Sequence, residues 1–109
     1  MKPVRIQLSR KKGWRKPFNT VVVSRPSKWG NIFSIKLART FHPHESEINL
    51  AARCVRAFEA ILDESDRREI RAELRGKNLA CWCKLWDEKG LRTLAFPCHA
   101  DVLLKIANA

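Results

Sequence analysis

Three of the four cysteines and one of the three histidines fall in two short segments of this 109-residue chain. The first segment is LACWC (79–83), and the second is PCHAD (97–101). Thiolate sulfur and imidazole nitrogen are common zinc ligands, and a thiolate is also a strong nucleophile. The two segments together are therefore the strongest candidate for a site that does chemistry.

Three interpretations of these residues are open. In the first, a zinc ion is held by a Cys₃His ligand set, although C-x-C is tighter than the usual C-x₂₋₄-C spacing. In the second, Cys98 is a nucleophile at a helix N-terminus, and His99 or Asp101 moves the proton. In the third, the thiols are buried core residues. The zinc ligands of the first interpretation would be Cys81, Cys83, Cys98 and His99. Because the three interpretations differ in their chemistry, the residues alone do not decide whether the chain is an enzyme.

Positive charge is concentrated at the beginning of the chain. Residues 1–44 contain eleven Lys and Arg and no Asp or Glu, whereas residues 45–109 contain eleven of each sign. The net charge of +11 therefore comes entirely from the first 44 residues. Such asymmetry is typical of a surface for an anionic ligand, namely a nucleotide, DNA or RNA. An acidic host protein is the alternative partner.

Two loops in this basic region are alike. SRKKGW (9–14) and SRPSKWGN (24–31) each contain Ser-Arg, a Lys, and a Trp beside Gly. Arg and Lys bind phosphate, backbone amides near Gly complete a cradle, and Trp offers a flat face for a base. The alternative is that Trp14 and Trp29 are core residues at the ends of the loops. The predicted ligand-binding residues are Arg10, Ser24, Arg25, Lys28, Trp29, Asn31 and Cys83.

Three segments have the pattern of β-strands: 4–8, 20–23 and 79–83. Because residues two apart on a strand point the same way, Cys81 and Cys83 are predicted to share a face and Trp82 to point to the other. A long helical connection between two strands predicts a parallel crossover. Ligands bind outside the carboxyl ends of such strands. If the first two strands are also parallel, both basic loops and CWC open at one edge; in an antiparallel hairpin they do not.

The remaining pattern is mostly helical. Residues 46–62, 66–75 and 98–107 are predicted helices, the second with Ser65 as its N-cap, whereas 33–41 fits a helix, a strand or an irregular segment. We expect 84–97 to be irregular. This order predicts one small α/β domain over residues 1–109, with a short, mainly parallel sheet of about three strands covered by helices. Predicted core residues of the first helix are Ile48, Ala51, Val55, Phe58 and Leu62, with Cys54 as a buried thiol.

Membrane and secreted classes are disfavoured. No segment approaches the roughly 20 apolar residues of a membrane-spanning helix, and the N-terminus lacks the apolar region of a secretory signal. Four cysteines without an export signal predict reduced thiols in the cytoplasm.

The chain also resembles a family of small uncharacterised proteins from phages and bacteria, catalogued as a domain of unknown function. The matching blocks are VVVSRPSKWGNIF (21–33), RGKNLACWC (75–83) and CHADVLLKIA (98–107). Ile32 stands where the family typically has Pro, and 84–97 is longer than the family's spacer. The resemblance implies a phage or prophage context, hence a bacterial host cell, and a small α/β fold, but no activity.

Taken together, the residues predict a nucleotide- or nucleic-acid-processing protein with a basic, Trp-containing pocket next to a Cys/His cluster. A non-catalytic nucleic-acid-binding module with a structural Cys₃His zinc site is the first alternative. A protein that binds an acidic host partner is the second.

Overall fold

Three short parallel strands form the centre of the molecule. The computed structural model describes residues 2–83 and 97–109. The strands are β1 (Arg5–Gln7), β2 (Thr20–Val22) and β3 (Asn78–Cys81), in the order β1-β3-β2. Leu79 of β3 lies opposite Arg5 on one side and Val21 on the other. The predicted parallel sheet of about three strands is confirmed.

The strand in the middle is also the most apolar. Leu79, Ala80 and Cys81 are each at most 1% exposed, as expected for a strand covered on both faces. Because β1 and β2 both run parallel to β3, all three carboxyl ends meet at one edge of the sheet. This is the arrangement in which the two basic loops and CWC open together.

The described residues form four helices: α1 (Ile35–Phe41), α2 (Glu47–Ile61), α3 (Glu64–Leu74) and α4 (His99–Ala107). The helices predicted over 46–62 and 98–107 are confirmed, and the ambiguous segment 33–41 is largely helical. No helix among the described residues is long and apolar enough to cross a membrane. Most of the predicted irregular segment, 84–96, lies outside the described residues.

The start of α3 differs from the prediction. Its N-cap is Asp63, not Ser65. The Asp63 carboxylate accepts from the Asp66 N–H at 2.8 Å, and the Asp66 carboxylate accepts from the Asp63 N–H at 3.0 Å. This capping box satisfies two otherwise unpaired donors at once, and Ser65 lies in the first turn of the helix that follows it.

The core lies between the sheet and helices α2, α3 and α4. In α2 the buried residues are Leu50, Ala51, Cys54 and Phe58. The predicted core residue Ile48 is wrong, because it lies in the first turn and is 47% exposed. The prediction that Cys54 is a buried thiol is confirmed.

Candidate functional site

Cys81, Cys83 and Cys98 lie together at the carboxyl edge of the sheet. Cys81 ends β3, Cys83 follows two residues later, and Cys98 is the N-cap of α4. Their Sγ atoms are all within 4.8 Å of one another, and the Cys81 and Cys98 sulfurs are 3.2 Å apart. All are free thiols. We refer to these three residues as the thiol cluster, and it can hold a metal ion.

Packing of α4 brings the distant cysteine to the cluster. Leu103 and Ala107 of α4 are fully buried in the same core as Leu79 of β3. This packing fixes the start of the helix beside the end of the strand. The Cys98 sulfur also accepts the Ala100 N–H at 3.5 Å, a contact that caps the helix.

Hydrogen bonds make the three thiols unequal acids. Bonds from Cys83 and then Cys98 lower the pKa of Cys81 to about 3, and the positive charge of Arg5 adds to the effect. The bond to Cys81 raises the pKa of Cys83 to about 11. Bonds to Cys81 and Cys83 raise the pKa of Cys98 as well. The three thiols therefore differ in acidity, and binding of a metal ion would displace the protons that remain on them.

His99 is buried beside the cluster, but its side chain is hydrogen-bonded to the residue that follows β2. Its Nε2 lies 2.7 Å from the Val23 carbonyl oxygen; since a carbonyl only accepts, Nε2 carries the hydrogen. Nδ1 is 3.6 Å from the Cys98 sulfur, and the ring meets the edge of Phe58. His99, the fourth ligand of the predicted Cys₃His set, is not part of the group of three ligand atoms.

Asp101, predicted to move a proton for Cys98, is paired with β1. Its carboxylate lies 2.7 Å from Arg5 Nη1. The Arg5 side chain is 4% exposed, whereas that of Asp101 is 55% exposed. The pair thus places a buried positive charge close enough to the thiol cluster to lower the pKa of Cys81.

A cavity of about 470 Å³ opens beside the thiol cluster, and all three cysteines line it. Its described lining contains two cations, Arg25 and Lys36, and no carboxylate. Neither cation forms an ion pair within residues 2–83 and 97–109. Among the described residues, therefore, no carboxylate neutralises these two cations.

Four of the seven predicted ligand-binding residues line this cavity. Two of the four have defined roles in the loop after β2. The Asn31 amide donates to the Cys54 carbonyl at 3.1 Å and accepts the Phe33 N–H at 2.9 Å, so it ties the loop to α2. Arg25 packs against Gly30, where a Cβ would lie 2.7 Å from the Arg25 Cγ. The four residues are Ser24, Arg25, Asn31 and Cys83.

Lys28 and Trp29 line a different groove. Lys28 Nζ donates to Glu69 at 3.0 Å and to Glu73 at 2.7 Å, and these bonds raise the pKa of Lys28. The ammonium lies 4.7 Å from the centre of the Trp29 ring, and Trp29 packs against the hydrophobic core. The likeness of the two basic loops therefore does not bring both of their Lys-Trp elements into one pocket.

The cavity residues that the sequence did not predict include an aromatic ring and a cation, Trp82 and Lys36. Trp82 is 47% exposed and lines the cavity, with the Arg10 guanidinium 5.1 Å from its ring centre. Strand alternation placed Trp82 away from the cysteines, but β3 ends at Cys81 and the alternation ends with it. Lys36 lies in the segment that the sequence left ambiguous.

Comparison with known proteins places the chain in a family. No curated protein and no solved structure matches it significantly. A family model described as "Domain of unknown function (DUF4326)" matches residues 6–109. The match covers the thiol cluster and both basic loops, and it confirms the predicted membership of a family of unknown function. Because it spans nearly the whole sequence, the chain belongs to the DUF4326 family.

Proposed function

We propose that the cavity binds and processes a nucleotide-type anion next to a zinc ion held by the thiol cluster. The observation that carries this proposal is the shared lining: one cavity of about 470 Å³ is lined by three thiols and by two cations that form no ion pair with a described carboxylate. Metal and anion would then meet in the same space. A phage or prophage origin and a cytoplasmic location, which the sequence predicts, remain part of the proposal.

The choice of zinc follows from the ligand chemistry. Thiolates select soft or borderline ions, and Cys-rich sets are typical of Zn²⁺. Structural zinc sites have four protein ligands, whereas catalytic sites have three and an exchangeable fourth position. Within residues 2–83 and 97–109 the group has three members. Because all three line the cavity, the remaining position would be accessible to water or to a ligand atom, which zinc activates or polarises.

The charges favour a phosphate-bearing ligand. The Arg25 guanidinium can donate two parallel hydrogen bonds to a phosphate, and Lys36 adds a second positive charge. The Ser24 hydroxyl, on the same cavity wall, supplies a further donor. The described lining contains no carboxylate that would repel an anion.

Trp82 favours a ligand that also has a base. An exposed indole ring stacks on any nucleobase, and such stacking contributes about 1–3 kcal/mol per base in single-strand binders. The Arg10 guanidinium lies 5.1 Å from the centre of this ring, which lines the cavity. Phosphate donors and a stacking surface in one cavity are the two parts that nucleotide recognition needs.

Metal analysis of the purified protein tests the first half of the proposal. We expect one zinc per chain by native mass spectrometry, and loss of that zinc in Cys83→Ser. Cys54→Ala is the matched control, because Cys54 is a buried free thiol outside the cluster. Zinc that survives Cys83→Ser, or is lost equally in Cys54→Ala, would contradict the assignment.

Calorimetric titration with a mononucleotide tests the second half. Lys36→Gln should weaken thymidine monophosphate binding by roughly fivefold, the effect of losing one charge-assisted contact of about 1 kcal/mol. Arg39→Gln is the control, since Arg39 is an exposed cation on the same helix that does not line the cavity. Equal effects of the two substitutions would show that the cavity is not the binding site.

A non-catalytic module with a structural zinc is the second candidate. The observation that favours it is that Cys81 and Cys98 are buried and join β3 to α4. A metal there would connect two core elements, and structural zinc contributes directly to folding. If chelation of the metal unfolds the protein and no mononucleotide binds, the structural role is correct and the proposed processing role is not.

A further inference from the structure

We propose that the nucleotide in the cavity belongs to a single-stranded nucleic acid, and that the adjoining strand follows the basic segment 10–16. This inference rests on the proposed function, because it specifies which ligand the cavity takes. It is carried by the exposure of that segment, by the lack of carboxylate partners for it among the described residues, and by its continuity with the cavity rim.

The basic segment contains five cations in seven residues. All five are exposed, and none forms an ion pair with a described carboxylate. The chain turns within it, since the Trp14 N–H donates to the Lys11 carbonyl at 3.0 Å and Gly13 has a φ of 85°. The five cations are Arg10, Lys11, Lys12, Arg15 and Lys16.

The segment begins at the cavity itself. The Leu8 N–H donates to the Cys81 carbonyl at 2.8 Å, which holds the end of β1 against the end of β3. Two residues later, Arg10 lies over the ring of Trp82, and Trp82 lines the cavity. A strand with one nucleotide in the cavity therefore meets the first cation of the segment at the rim.

The number of cations exceeds what a free nucleotide needs. Arg25 and Lys36 already face the cavity, whereas the five cations of the segment lie outside its lining. A strand carries one phosphate per nucleotide, so successive phosphates can match successive cations. Partly buried Trp14 adds an aromatic ring among the charges, and basic grooves with interspersed aromatics are typical of single-strand binders.

A single strand fits better than a duplex. Trp82 lies at the wall of a concave site of about 470 Å³, so a base must leave its stack to reach the ring. Extruding a base from a duplex requires unstacking and unpairing energy, which a single strand largely avoids. An acidic protein would match the charges but not the exposed indole beside them.

Fluorescence anisotropy with a labelled oligothymidylate tests the inference, with thymidine monophosphate as the small ligand. The double variant K11Q/K12Q should bind the oligonucleotide about tenfold more weakly, with a log–log salt slope reduced by roughly 1.4, or 0.7 per lost contact. Its affinity for thymidine monophosphate should be unchanged. The control variant K77Q/K105Q removes two exposed lysines elsewhere and should match the wild type.

The outcomes separate this inference from the proposed function. If thymidine monophosphate binds and the oligonucleotide binds no more tightly, the strand inference is overturned while the nucleotide site stands. If thymidine monophosphate does not bind, the proposed function fails first. If the Arg25→Gln variant binds the oligonucleotide as tightly as the wild type does, the strand lies outside the cavity and the inference is overturned. The inference is also overturned if polyglutamate displaces the labelled oligonucleotide as well as unlabelled oligothymidylate does.

Discussion

The loop over residues 24–31 contributes a cation to each of two grooves, and the two cations meet different surroundings. Arg25 faces a cavity whose described lining has no carboxylate. Lys28, three residues later, lies between Glu69 and Glu73 of α3 and is neutralised there. The comparison shows that a run of positive charge does not by itself locate a surface for anions, because carboxylates of distant elements neutralise some of its cations, such as Lys28, and not others.

The tryptophans of the two regions differ in the same way. Trp29 packs against the hydrophobic core beneath Lys28. Trp82 is half exposed at the cavity rim under Arg10. Each ring lies beside one cation, so the pairing alone does not distinguish them. Burial does, and it makes Trp29 a structural residue and Trp82 a candidate contact for a ligand.

The largest expected effect is on stability. Trp29→Ala should lower the free energy of unfolding by about 2–3 kcal/mol, because it removes a large ring packed against the core. Trp82→Ala should change it by less than about 0.5 kcal/mol, as expected for an exposed position. Urea denaturation followed by circular dichroism measures both. Equal losses would mean that the two tryptophans are equivalent core residues.

Anion affinity should separate the two cations of the loop. Arg25→Gln should weaken thymidine monophosphate binding about tenfold, since a charge-assisted, bidentate contact contributes more than 1 kcal/mol. Lys28→Gln should change it less than about twofold, because Lys28 is outside the cavity lining and exposed charges are screened. Calorimetric titration of both variants checks this. A larger effect at Lys28 would reverse the assignment of the two grooves.

A smaller effect is expected at Gly30. Alanine there would place a Cβ 2.7 Å from the Arg25 Cγ and 3.1 Å from its Cα, so Arg25 must shift. We expect Gly30→Ala to weaken mononucleotide binding by about threefold, below the effect of deleting the guanidinium. The zinc content should stay at one per chain, since Gly30 is not part of the thiol cluster. Unchanged affinity would show that the position of Arg25 does not matter.

The smallest effect concerns the ion pairs of Lys28. Lys28→Gln should lower the urea midpoint only slightly, because exposed ion pairs contribute little and are screened by salt. The bond to Lys28 lowers the pKa of Glu73, so this stabilisation is present above the ordinary glutamate pKa of about 4.3 and is lost as pH falls through the lowered value. Urea midpoints of both proteins at neutral and acid pH should therefore converge at acid pH. A difference that grows on acidification would contradict the pairing.

The fold was largely predictable because periodicity reports which face of an element is apolar. The three strands and the helices over 46–62 and 98–107 follow from such patterns. Details that depend on competition between neighbouring residues did not follow. The N-cap of α3 is Asp63 and not Ser65, because Asp63 and Asp66 form reciprocal side-chain to backbone hydrogen bonds. The buried face of α2 includes Leu50 rather than Ile48. The position of the α3 cap and the buried face of α2 both depend on contacts between residues and not on residue type alone.

The sequence by itself determined that this is a basic α/β chain with three cysteines in two motifs at predicted element ends. Only the tertiary structure decided that β1 and β2 flank β3 in parallel, so that their loops open at one edge. It also decided that Cys98, seventeen residues after Cys81, lies beside it, and that His99 is hydrogen-bonded to the Val23 carbonyl. It decided as well that Lys28 is paired with carboxylates of α3, whereas Arg25 has no ion pair among the described residues. The physical reason is that local patterns encode burial and direction, whereas charge pairing and ligand geometry depend on residues that are distant along the chain.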